Sequence, residues 1–151
     1  MAKELKHINT ALLLDVFGND KEMICDMVDV FISMAKDYFT EIKSSYALKN
    51  WFELGLVTHK AKASCRTMGL SDLGNSLDNI ENNAKGIAYI ELDENRNLSP
   101  DNEKLYKAML REGQQNGDVT IIDKEIKFVI ANFEEAMDEL IYFKENIDKH
   151  L

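Results

Sequence analysis

The sequence predicts an all-α fold: an antiparallel four-helix bundle with an extra N-terminal helix and a short inserted helix. Three observations carry this. Apolar residues recur at intervals of three and four almost throughout the 151 residues. No segment alternates convincingly as a strand would. Proline occurs once and glycine seven times, so helix breakers are few and their positions are informative. A chain of this length buries roughly two-thirds of its unfolded surface, and it reads as one domain over residues 1–151.

Taken in order, Asn9 caps a short helix that Gly18 ends, and Asp20 caps the next. From Lys21 to about Leu48 the stripe Ile24, Met27, Phe31, Ala35, Tyr38 and Ile42 advances by threes and fours. At 1.5 Å per residue that helix spans roughly 40 Å. Asn50 with Glu53 three residues later is a capping-box signature, and a third helix runs from there to about Met68, where Gly69 permits a turn. Ser71 caps a fourth helix with Leu73, Leu77, Ile80 and Ala84 inward, closed by Gly86.

Residues 87–117 are expected to form an insertion. Ser99-Pro100 starts a short helix with Leu105, Ala108 and Met109 as a weak apolar face, and Gly113 to Gly117 is a loop. The last helix starts near Asp118 with the stripe Ile122, Ile126, Val129, Ile130, Phe133, Met137, Leu140 and Ile141. Met23, Met27, Met34, Met68, Met109 and Met137 are expected in or near the core.

Lys and Arg number 18 against 27 Asp and Glu, a net charge of −9. That balance opposes general affinity for nucleic acid or an anionic membrane, which need a basic field. The polar opening residues show no signal-peptide pattern, no apolar run approaches a membrane span, and a cytoplasmic protein is expected. Cys25 and Cys65 have no zinc-ligand spacing and are expected as buried free thiols. A di-metal centre of the bundle type needs a glutamate three residues before each histidine; Leu56 and Ile147 stand there, so no metal site is expected. His7 and His150 lie in polar terminal surroundings and receive no role.

The chemistry concentrates in His59-Lys60-Ala61-Lys62-Ala63-Ser64-Cys65-Arg66-Thr67-Met68-Gly69. At about 100° per residue, Lys62, Ala63 and Arg66 share the face of His59, while Ala61, Ser64, Cys65 and Met68 point away toward the core. An imidazole presented to solvent among cations is poorly suited to a metal and well suited to carry a phosphoryl group. The cations disfavour the imidazolium form and offset charge on phosphoryl oxygens. Phe52, Gly55 and Leu56 fall on or beside the same face. Phe52 and Leu56 either expose apolar surface there or fold under the neighbouring helix, and Gly55 and Ala63 would leave room for a partner's loops.

The pattern resembles the histidine phosphotransfer (HPt) domains of two-component phosphorelays. His59, Lys62, Ser64 and Gly69 match that family's motif; Ala61, Ala63 and Cys65 stand where it has leucine, glycine and serine. The resemblance runs from about Ile8 to Gly86, through the Phe17-Gly18-Asn19-Asp20 turn and on to Leu73, Leu77 and Glu81. It implies a phosphocarrier rather than an enzyme. His59 would accept a phosphoryl group from a receiver-domain phospho-aspartate and pass it to another receiver, with Lys62 on the phosphate side. Lys60, Ala63, Arg66, Gly55, Leu56 and Phe52 would form the docking face, and Ser64 and Gly69 would be structural. The implied partners are response-regulator receivers and a hybrid sensor kinase; the only cofactor would be magnesium on the receiver, and the chain itself would be a monomer. A second reading is an HPt-like adaptor that binds signalling partners with His59 idle. The first is favoured, because an idle copy has no need of both His59 and Lys62.

Overall fold

The computed structural model describes residues 4–95, 99–101, 104 and 117–151, and the described residues are helical with no strand among them. The helices are α1 (Thr10–Phe17), α2 (Lys21–Ala47), α3 (Trp51–Thr67), α4 (Ser71–Asn95), α5 (Val119–Glu145) and α6 (Ile147–His150). Caps fall where the sequence places them. The Asn9 side chain accepts from the Ala11 and Leu12 amides, Asp20 from Met23, Asn50 from Glu53 and Asp118 from Thr120. Gly18 and Gly69 both take positive φ, 64° and 73°, at the turns they close. At Gly69 a side chain is excluded twice over, since a Cβ would lie 2.7 Å from the Asn9 carbonyl oxygen.

The four long helices share one core. α3 packs along α4, α4 along α5, and α2 against both α3 and α5. Their neighbours run antiparallel. Lys62 meets Asp78 while Arg66 meets Asn75, and Asp29 meets Lys144 while Tyr46 meets Asp123 at the other end of α2. Between these last two, Phe39 stacks on Phe133 with ring centroids 4.1 Å apart. Ile24, Phe31, Ala35 and Ile42 of α2 are buried, as are Leu73, Leu77, Ile80 and Ala84 of α4 and Ile122, Ile126, Val129, Met137 and Leu140 of α5.

Several expectations are corrected. Gly86 does not end the fourth helix: it is buried within α4, which continues to Asn95, so residues 87–95 extend the bundle-forming helix rather than begin an insertion. A lone glycine in a helix costs about 1 kcal/mol relative to alanine, which packing easily overrides. Ser71 is the first helical residue rather than the residue before it. Pro100 and Asp101 are helical, but Leu105, Ala108 and Met109 of the expected short helix lie outside the described residues.

On α5, Ile130 and Ile141 face outward, and Phe143 fills the core in their stead. Met23 and Met34 are exposed on α2, where Val28 is buried. Cys25 is only half-buried. His7 is buried, with Nε2 3.4 Å from Oε1 of Glu135. The buried Glu139 carboxylate gathers the backbone N–H groups of Lys6, His7 and Ile8 at 3.0, 2.8 and 2.9 Å and draws that segment onto α5. No helix among the described residues is long and apolar enough to cross a membrane.

Cys65 is buried as expected, and burial pushes its thiol up to about 12. In native protein at pH 8, Cys65 should therefore alkylate roughly a thousandfold more slowly than after unfolding, because the thiolate is the nucleophile. Mass spectrometry after an iodoacetamide pulse reads this directly. Equal rates before and after unfolding would contradict the packing of α3 described here.

Candidate functional site

The site is built on the α3–α4 pair. Antiparallel packing sets residues of α3 against residues of α4 whose numbers sum to about 140, so His59 meets Glu81 and Lys62 meets Asp78. The His59 side chain is 47% exposed, whereas Glu81 beneath it is 1% exposed. Nδ1 of His59 lies 2.9 Å from Oε2 of Glu81. Lys62 Nζ lies 2.6 Å from the other oxygen, Oε1, and 3.0 Å from Oδ1 of Asp78. Lys85, one turn further along α4 and itself fully buried, donates to Oε2.

Glu81 is thus the hub of a small polar network sunk into an apolar interface. Burial alone would raise its pKa. The hydrogen bonds from Lys62, Lys85 and His59 outweigh that and hold it at about 2. The group is therefore a carboxylate at any pH of interest, and a carboxylate can only accept. It follows that Nδ1 of His59 carries the proton facing Glu81. In the neutral ring the lone pair then resides on Nε2.

Lys60, Ala63 and Arg66 are exposed on the His59 side of α3, Ser64 is half-buried, and Arg66 reaches Asn75 at 3.4 Å. Lys62 shares the face but not the exposure. Its side chain is 7% exposed and held by Asp78 and Glu81, so it is not the solvent-facing lysine that the helical wheel suggested. The group in direct contact with the imidazole is a carboxylate, not a cation.

The apolar surface expected at Phe52 and Leu56 is not formed. Phe52 is 8% exposed and belongs to the core, with Leu56 half-buried against it. Gly55 leaves room for the stem of Lys85, not for a partner, since a Cβ there would sit 3.0 Å from Lys85 Cγ. Exposed apolar surface lies instead one helical turn from His59, in a groove of about 190 Å³ between α2 and α3. Met27, Val30 and Met34 form one wall, and Ala63 and Thr67 the other.

Reading the sequence missed Glu81 as a site residue and Lys85 altogether. The signal was there: both sit beside the stripe Leu77, Ile80, Ala84, so charged residues at an i, i+4 spacing run along the inward side of α4. Comparison with protein-family models, with characterised proteins and with solved structures finds no match to this chain.

Proposed function

We propose that this protein is a histidine phosphocarrier of a two-component phosphorelay, with α2–α5 forming an antiparallel four-helix bundle of the HPt kind. The observation that carries the reading is the pairing of a half-exposed imidazole with a buried carboxylate, ionised at neutral pH, on its Nδ1 side. In that state Nε2 attacks the phosphorus of an aspartyl phosphate. The N–P bond forms as the P–O bond to the aspartate breaks, and the aspartate leaves as a carboxylate. No proton has to move, because Nδ1 keeps its hydrogen throughout. The ring becomes cationic as the bond forms, and Glu81 offsets that charge at 2.9 Å, as the buried aspartate does for histidine in hydrolytic triads. The exposed Lys60 and Arg66 offset the phosphoryl oxygens on the outer side.

The reverse step, onto a second receiver aspartate, uses the same geometry. The magnesium ion and the acceptor aspartate are the receiver's contribution. The Met27, Val30, Met34 groove flanking Ala63 offers a receiver apolar surface about one helical turn from His59. The reading implies a monomer acting in the cytoplasm between a hybrid sensor kinase and a response regulator.

Lys62→Ala should slow phosphoryl acceptance by about tenfold or more, because Glu81 and Asp78 lose a shared counter-charge next to the reacting ring. Quenched-flow transfer at matched folded fraction measures this, and unchanged kinetics would remove Lys62 from the mechanism. The carrier and adaptor readings separate on incubation with a panel of phosphorylated receiver domains. A carrier drains label from a receiver onto itself; an adaptor forms complexes and acquires none.

A further inference from the structure

Lys85 is among the largest of the fully buried side chains described, in company otherwise apolar. Burying a charge is costly unless a partner offsets it, and packing gives no reason for an amine there. Its Nζ donates to Oε2 of Glu81, the oxygen that also takes the His59 Nδ1 hydrogen. Its stem runs close against Gly55 of α3, where a Cβ would lie 3.0 Å from Lys85 Cγ and the stem would have to give by a few tenths of an ångström. Among the described residues, the charged groups linked to the ring are Glu81, which touches it, Lys62 of α3 and Lys85 of α4 on Glu81, and Asp78 of α4 on Lys62.

We propose that Lys85 is a positioning residue that acts on His59 through Glu81, keeping the histidine ring uncharged until phosphoryl transfer. This rests on the reading of His59 as the phosphoryl acceptor. Lys62 and Lys85 both set a positive charge against Glu81, the carboxylate that touches the ring. Without Lys85 that carboxylate has one counter-charge fewer, and His59, already on the same oxygen, is a group able to supply it. A proton on Nε2 occupies the lone pair that attacks phosphorus. The lysine therefore lets a carboxylate sit against the imidazole, ready for charge that develops during transfer, without drawing in a proton beforehand.

The test uses the full chain and phosphoramidate, a small phosphoryl donor that needs no partner. Wild type and Lys85→Met are labelled across pH 5 to 9, with long-range ¹H–¹⁵N spectra of the His59 ring recorded on the same samples. In Lys85→Met the midpoint of the acid limb of labelling should rise by about one pH unit, a roughly tenfold loss below it. The Nε2 resonance should show protonation over the same range. A merely structural lysine would lower stability and leave the midpoint where it is.

Gly55→Ala keeps every charge but pushes on the Lys85 stem. It should shift the midpoint the same way by less, and it serves if Lys85→Met does not fold. In a Glu81→Gln background Lys85→Met should have no further effect on the midpoint. Identical midpoints and ring spectra in wild type, Lys85→Met and Gly55→Ala would overturn the proposal, as would an undiminished effect without Glu81. If His59 is not a phosphocarrier, receiver-to-protein transfer fails in wild type while the ring spectra still report whether Lys85 governs its protonation.

Discussion

Replacing His59 by glutamine abolishes phosphoryl acceptance while leaving helicity and melting temperature nearly unchanged; that is the first result expected. The ring is half-exposed and its one described polar contact is to Glu81. A glutamine amide can donate to the same carboxylate, so the network beneath keeps its hydrogen bond and both lysines. A hydrogen bond to a charged group contributes about 1.5 to 3 kcal/mol, and the glutamine amide retains one. Circular dichroism and thermal melts read the structural half, and a radiolabelled transfer assay reads the chemical half. A drop in melting temperature beyond about 5 °C would make His59 chiefly a structural partner of Glu81, and the site assignment would fall.

Glu81→Gln is the converse experiment and should be costly to the fold. It keeps the shape of the side chain but removes the carboxylate that both Lys85 and Lys62 pair with. Breaking a buried ion pair from one side costs about 3 to 5 kcal/mol, which for a domain of this size lowers the melting temperature by roughly 10 °C.

The pH dependence follows from the same group. Its pKa in the folded protein, about 2, lies below its ordinary value of 4.5. The stabilisation is therefore fully present above pH 4.5 and is lost progressively as the pH falls through the folded value of about 2, below which the carboxylate is protonated in both states. Urea melts from pH 6 to 2 should show the wild type losing stability through that window and Glu81→Gln losing distinctly less. Parallel curves would mean the network around Glu81 is not formed in solution.

Much of this molecule is legible in its sequence because helices announce themselves locally. The caps at Asn9, Asp20, Asn50 and Asp118 and the stripes of α2, α4 and α5 are written at spacings of a few residues. What failed was whatever depends on a second helix. Lys62 shares the His59 face on the helical wheel, yet α4 covers it with Asp78 and Glu81. Phe52 lies on the edge of that face, and the neighbouring helices bury it. Gly86 reads as a stop, but packing carries α4 past it. Gly55 reads as space for a partner and proves to be space for Lys85. In each case the wheel gives a direction and only the facing helix decides whether that direction is solvent. Glu81 shows the same limit from the other side. It lies 22 residues from His59, and only the antiparallel register of α3 and α4 makes them neighbours.

Position-resolved mapping of the phosphoryl group tests the central claim most directly. A labelled receiver is mixed with wild-type protein, and the product is examined by ³¹P and long-range ¹H–¹⁵N spectroscopy under alkaline conditions that preserve phosphohistidine. The account predicts one acid-labile, alkali-stable phosphoryl group, bonded to Nε2 of His59 with Nδ1 still facing Glu81. A label on Nδ1, on another residue, or on none from any receiver with the protein well folded would contradict it.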